Sequence, residues 1–489
     1  MRLGFVSGSY TARSTAIADE ECINWFAESV ESQGAVVPSK VYGGQAAKTV
    51  AGLLGTPGLS VFTTLPQSPT RGSCEANGRL FVVAGTQFIE VSSIGAQTAW
   101  GNVGNDGTPA SLVFNSLQIL IVSAGRAFCF TLATNVIVEV TGDLAGVPVL
   151  ADYSDTYFIV MFQDNNKFQL SQVLDGTTWP GQLVNEVSVF ADNISSIRCN
   201  HRELWVLGQL RSQPYQDTGS TEAFDPIPGT MLEMGSAATF CTCRVDNSVF
   251  WIGADERGSL VAWRSSGYTP VRISTYAVEL DLSKYSTDQI AGIVSYAYQD
   301  AGHLWWTLYI PGSNWSWVYD VVEGLWHKRC SWNPKTATFG PHFSWNYVRA
   351  FGKHLVGDWN SGNLYEISMD NLTDNGANIL RVRRTPTVIN EKERVYHAEI
   401  TVDFAAGNGP QPPLIDGNGQ PRQPQAMLRW SDDQGNNWSN QHTAGTGMAG
   451  AYGTRVIFRR LGQSRQRVYE LSVSDPVRWA IVDAYLRTA

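Results

Sequence analysis

At 489 residues the chain can hold two or three domains with a large core, and only 16% of its residues are charged, so Ser, Thr, Asn, Gln and Gly must solvate much of its surface. The formal charge of −9 is uneven: residues 376–489 carry 14 Lys and Arg against 10 Asp and Glu, and the remainder carries 21 against 34. An acidic body argues against a nucleic-acid grip, which needs Lys and Arg to neutralise phosphates.

The seven cysteines are scattered without a CxxC pair, and Cys241-Thr242-Cys243 lacks the two further ligands a metal site needs. Structural thiols in a reducing cytoplasm are expected, with no metal and no cofactor. The opening MRLGFVSGSYTARSTAIADE has no apolar core and does not read as a secretory signal. The most apolar region, Leu112–Gly125, is broken by Asn115, Ser116 and Gln118, so no membrane-spanning helix is expected.

Residues 1–66 read as an irregular segment that donates a strand to a β fold, with Thr56-Pro57-Gly58-Leu59 as the turn before it. From there an apolar strand, a Gly or polar turn and a second strand recur. The clearest copies are Leu80–Val83, Ile119–Val122, Tyr157–Val160, Leu204–Leu207, Val249–Ile252 and Leu304–Thr307, with Leu355–Gly357 a weaker seventh. A period of roughly 40–50 residues with four short strands per unit is the mark of a β-propeller, here of six to seven blades over 67–370. Stacked sandwiches of unrelated hairpins are the competing architecture. The aromatic stretch 303–329, HLWWTLYIPGSNWSWVYDVVEGLWHKR, reads as three strands of one blade, with Pro311-Gly312-Ser313-Asn314 as a turn.

Within the array, 209–232 is polar and rich in proline, and reads as a protruding loop with Tyr215 and Phe224 as candidate partner contacts. A boundary falls at 370–378. Beyond it, 376–489 reads as six alternating strands of a separate β-sandwich or jelly-roll-like module. Its basic runs make Arg381, Arg383, Arg384, Arg459 and Arg460 candidates for docking an acidic partner, with a solvated sheet face as the plainer account.

Residues 431–438, SDDQGNNW, fit the S-x-D-x-G-x-x-W box of sialidase-type propellers, a hairpin device that occurs once and outside the propeller. The eight Trp between 305 and 359 could stack sugars but more simply pack between blades. No nucleophile elbow, Walker loop, dinucleotide fingerprint or metal-spaced histidine pattern is present, so no catalytic residue is expected.

The run PGTMLEMGSAATFCTCRVDNSVFWIGADERGSLVAWRSSGYTPVRISTYAVE (228–279) and the later WVYDVVEGLWHKR resemble the packaged-DNA stabilisation proteins, the tail hub or nozzle components of short-tailed phages; INWFAE (23–28) and TPGL (56–59) are similar to that family's opening pattern. The resemblance implies an all-β, non-enzymatic virion subunit, present in six copies, that forms the distal DNA-ejection channel and retains packaged DNA. It further implies contacts with a portal–adaptor complex and with a tail needle, plug, fibre or spike, with assembly in the host cytoplasm. DNA would pass without sequence-specific binding, aided by like-charge repulsion in an acidic lumen. A glycan-binding or sialidase-like propeller on the virion is the alternative.

Overall fold

A computed structural model describes residues 2–15, 17–29, 51–187, 192–219, 224–254, 258, 260–405, 407, 409–410 and 413–488. It divides into two compact units, one of residues 60–316 and 341–367, the other of 1–59, 317–340 and 368–489.

The first unit is a β-propeller. Five complete four-stranded sheets follow one another: Thr70–Ala76 to Gln97–Asn102, Ser111–Phe114 to Val136–Glu139, Pro148–Ser154 to Val184–Glu186, Ile194–Asn200 to Phe224–Pro226, and a fifth around Ser248–Ala254 whose first strand is split into Gly235–Ser236 and Cys243–Val245. The sixth position holds the antiparallel pair Val294–Asp300 and His303–Tyr309. A seventh sheet, Ser344–Ala350, Lys353–Asp358 and Asn363–Ser368, is completed by Gly58–Thr64 from early in the chain. That strand joins the last blade at Leu65, whose N–H donates to the Gly362 carbonyl.

All seven apolar repeats seen in the sequence are second strands of these sheets, from Arg79–Ala84 to Lys353–Asp358. A second strand has a neighbouring blade against each face, so both faces are buried. This gives a continuous apolar run: Leu80, Phe81, Val82, Val83 and Ala84 are all inaccessible. First strands carry a bulge near their start, between Thr70 and Gly72, Pro148 and Leu150, Ile194 and Ser196, and Ser344 and Asn346. Each bulge turns the strand sharply as it enters. Gly72 is required there, because a Cβ would stand 2.3 Å from the Ala110 carbonyl oxygen. Two short helices, Tyr276–Leu282 and Thr287–Ala291, follow the fifth sheet; the second begins with a capping box of Ser286 and Gln289.

The second unit is a β-sandwich. One sheet runs Leu325–Asn333, Cys22–Ile23, Arg381–Arg384, Gln466–Val473, Gln425–Ser431, His442–Gly445. The other runs Trp25–Ser29, Ala51–Gly55, Ala480–Thr488, Val395–Phe404, Val456–Arg459. Its core draws Leu3, Phe5, Cys22, Trp25 and Leu53 together with Ile400, Leu428, Leu471 and Leu486.

The sandwich therefore differs from the expected 376–489 module, because it also takes in Cys22–Ile23, Trp25–Ser29 and Ala51–Gly55. Residues 1–66 do donate one strand to the propeller, Gly58–Thr64 in the seventh blade. The physical reason is burial: six C-terminal strands alone leave the sandwich short of apolar residues that Phe5, Trp25 and Leu53 supply. The stretch 303–329 supplies the three expected strands, His303–Tyr309, Ser316–Asp320 and Leu325–Asn333, the first assigned to the propeller unit and the last to the sandwich unit.

The segment 209–232 is not the expected protrusion: Ser212–Asp217 and Phe224–Pro226 are the outer strands of the fourth blade. Residues 220–223 of it, like the connection 30–50, lie outside the described residues. Trp305, Trp306, Trp317, Trp326 and Trp345 are buried, which leaves them no face for stacking a sugar.

Candidate functional site

The most developed concavity of the propeller unit is a cavity of about 420 Å³ on its axis, walled by the first strand of each sheet. Three arginines reach it, and each first strand positions its side chain by the alternation of the pleat. Arg71 is fully buried: Nε donates to the Thr108 carbonyl at 2.6 Å, Nη1 to those of Gly85 and Gly104 at 3.1 and 2.7 Å, and Nη2 pairs with Asp106 at 2.8 Å. Burial lowers its pKa, and Asp106 opposes that. Arg198 donates to the Thr242 carbonyl at 2.9 Å and lies 3.5 Å from Asp152, which also accepts from the Cys199 N–H at 2.8 Å. Arg244 is the exposed one.

Opposite them, the Trp345 indole N–H and the Asn346 amide both donate to the Thr70 carbonyl, at 2.5 and 2.7 Å, tying the seventh blade to the first. These contacts join neighbouring blades: Arg71 holds the connection into the second blade, and Asp152 links the third to the fourth. The cavity lining includes three cations, one carboxylate, amides and aromatic rings, and the Tyr347 hydroxyl lies 2.9 Å from His354 Nδ1. Among the described residues no group of His, Cys, Asp and Glu is placed to hold a metal ion. All seven cysteines are free, and burial is the main cause that raises the Cys22, Cys74 and Cys330 thiols well above the usual range.

The candidate docking residues separate into two groups. Arg381, Arg383, Tyr215 and Phe224 are 2%, 0%, 4% and 1% exposed, which corrects the reading of all four as surface contacts. Tyr215 and Phe224 pack in the core between the third and fourth blades, the Tyr215 ring edge-on to Phe168 at 5.6 Å. Arg383 donates to the carbonyls of Phe5, Gly8 and Glu21 and to Ser7 Oγ, so it ties the N-terminal segment to its sheet. Arg384 is engaged by Glu470 at 2.7 Å and Asp19 at 3.0 Å, and lies over the Trp438 ring.

Arg459 and Arg460 are exposed on the outer sheet of the sandwich. Glu399 sits between Arg459 and Arg487, 3.3 and 4.0 Å away. Sequence reasoning missed Arg71 because a single arginine before a Gly-rich strand carries no pattern.

The S-x-D-x-G-x-x-W box is a turn of the sandwich. Ser431 Oγ accepts from Gly435 N at 2.8 Å, Asp433 accepts from Asn437 N at 2.7 Å, and Gly435 takes φ +91°. The Asn437 N–H, with Ser431 and the Asn437 amide, pulls the Asp433 pKa down to about 2. Its polar atoms are spent on the turn.

Compared with known proteins, residues 45–372 match the family model described as Bacteriophage P22 Gp10, beta-propeller, and residues 381–489 match that described as Bacteriophage P22 Gp10, beta-sandwich. The chain belongs to the Bacteriophage P22 Gp10 family. Membership makes it a structural protein of a phage tail, a virion component that assembles with other virion proteins. Among the described residues no helix is long and apolar enough to cross a membrane. No curated protein gives a significant match.

Similar solved structures include PorZ of Porphyromonas gingivalis (12% identity, TM-score 0.39), YCF48 from Cyanidioschyzon merolae (10%, 0.42) and BamB from Moraxella catarrhalis (10%, 0.37). They cover 62%, 65% and 70% of this chain, and the chain covers 37%, 100% and 96% of them. At such scores these neighbours carry no information about function.

Proposed function

We propose that this Gp10-family protein is the tail hub or nozzle subunit: six copies form a ring at the distal end of the DNA-ejection channel and retain the packaged genome. The observation that carries this reading is the family match running through both the propeller and the sandwich. The subunit does no chemistry. Arg71 and Arg198 at the propeller axis are spent on carbonyls and single carboxylates that fasten one blade to the next, an architectural use of charge.

In this reading one face of the ring attaches to a portal–adaptor complex and another to a needle, plug, fibre or spike, and the parts assemble in the host cytoplasm. DNA passes the acidic body without sequence-specific contact, because like charge keeps phosphates from adhering. Arg459 and Arg460, exposed on the sandwich, are the remaining candidates for meeting an acidic partner surface.

Electron microscopy of the purified chain mixed with its adaptor complex tests this directly. Six-fold rings seated on the adaptor are expected, and a mixture in which the chain stays monomeric and unattached would sink the hub assignment. A glycan array with a sialidase assay addresses the alternative: specific binding or turnover would replace the structural reading with a carbohydrate one.

A further inference from the structure

A concavity of about 530 Å³ opens on the sandwich unit and belongs to none of the contacts described so far. Lys392 and Arg394 wall it on one segment of the chain and Arg465 on a facing one, with Gln463 and Gln466 to either side.

The register of the two segments makes the hollow. Val388 and Ile389 pair with Arg467 and Gln466, and Val395 and Tyr396 pair with Ser464 and Gln463. Between those pairings five residues, 390–394, face the single residue Arg465, so the longer segment has to arch away. A bond from the Glu393 N–H to the Asn390 carbonyl at 2.8 Å closes the arch, and Glu391 and Lys392 take φ +49° and +64° within it. Side chains other than glycine adopt that conformation rarely, and such residues cluster at ligand clamps.

The charge of the walls is left unbalanced. Lys392, Arg394 and Arg465 are exposed, and among the described residues none has a carboxylate within ion-pair distance. Glu391 and Glu393 lie on the same arch but not in the cavity walls. The carboxylate that does line the cavity, Asp432, is already taken. The buried Arg467 donates to it from Nε at 2.6 Å and from Nη2 at 2.8 Å, and holds the Leu461 carbonyl with Nη1. Ser464 is likewise engaged, its Oγ 2.9 Å from His397 Nε2. Three positive charges thus converge on one hollow in a chain whose formal charge is −9.

The geometry points to a binding site for a compact group that carries two or three phosphates. A carboxylate offers two oxygens in one plane, whereas a phosphate offers oxygens to donors that arrive from several sides, as these do from two facing segments. The volume has room for more than one phosphate, and the Gln463 and Gln466 amides supply donors and acceptors for the atoms that link them. Duplex DNA, with its phosphates spread along a convex rod, fits such a hollow poorly. The group can be a free oligophosphate or the headgroup of a phosphorylated lipid, and both present the same chemistry.

Two measurements on the full-length chain at about 0.15 M salt, where diffuse surface attraction is screened, test the site. One is isothermal titration with inorganic tripolyphosphate; the other is flotation with phosphatidylcholine vesicles that contain cardiolipin. Saturable binding is expected, one-to-one for tripolyphosphate. Binding of tripolyphosphate alone identifies a free oligophosphate as the ligand, and binding of the vesicles alone a headgroup.

Arg394→Gln and Arg465→Gln should each weaken binding about tenfold or more, the worth of a charged hydrogen bond, while the melting temperature holds because both side chains are exposed. Arg459→Gln, outside the cavity walls, should leave binding unchanged. Absence of saturable binding in both measurements, full binding by the two cavity variants, or an equal loss in Arg459→Gln would each overturn the site. So would displacement of tripolyphosphate at lower concentration by a glutamate-rich peptide or a short DNA duplex. None of these readouts depends on ring formation, so the result stands apart from the hub assignment.

Discussion

Arg383 separates a docking reading from a structural one at a single residue. A surface arginine can be replaced with a change within about 0.5 kcal/mol. A fully buried one that holds three backbone carbonyls and Ser7 leaves those acceptors stranded when it is removed. Arg383→Met is therefore expected to cost on the order of 3–5 kcal/mol and to lower the melting temperature of the sandwich in a calorimetric scan. An unchanged melt would return Arg383 to the list of partner contacts. His397 offers a second residue-scale test. Its ring lies between Ser464 Oγ at 2.9 Å and the Tyr469 hydroxyl at 2.8 Å, and burial, aided by Arg467, lowers its pKa from the ordinary 6.5 to about 4. The unfolded chain binds this proton first as pH falls. Stability is then full above about 6.5 and declines as pH drops toward 4, by roughly 3 kcal/mol in total from this group. Urea melts between pH 7 and 4 should show that slope, and His397→Gln should flatten it.

Elements were legible in the sequence where burial is symmetric. Ile119–Val122 and Val249–Ile252 are apolar throughout because a blade lies on each side, and that run repeats at every second strand. Strands whose partners lie far away in sequence were not legible. Arg381–Arg384 alternates as a solvated face would, and only its pairing with Cys22–Ile23 on one side and Gln466–Val473 on the other buries it. Ser212–Asp217 reads as a loop because Gln, Pro and Asp fill it, yet it pairs with Glu203–Gly208 along five residues. Arg381 reads as exposed for the same reason: its alternation is visible, but Gly55, whose missing Cβ makes room for its side chain, lies more than 300 residues earlier. An element-scale prediction follows from the core of the sandwich. Residues 376–489 produced alone lack Phe5, Trp25 and Leu53, and should show no cooperative thermal transition by circular dichroism. A sharp, reversible transition in that fragment would mean that the N-terminal strands are dispensable.

For the whole molecule, the charge imbalance is the property with a mechanical reading. If the acidic body faces the channel, replacing exposed acids of the propeller such as Asp164, Glu233 and Asp288 with lysine should slow genome ejection while particles still assemble. Ejection kinetics that match those of the parent virion would remove repulsion as the cause. The interleaved chain has a different consequence, one that concerns time. Ala51–Gly55 leaves the ribosome early, but its sheet partner Ala480–Thr488 is among the last segments made. At about 5–20 residues per second the early strand waits roughly 20–80 s with only Trp25–Ser29 beside it. During that interval the blades can close, since their strands are mostly consecutive, while the sandwich cannot. A message cut short between Ser368 and Ala480 thus yields a propeller trailing an exposed apolar segment, a species that cellular surveillance can recognise and remove before it enters a particle.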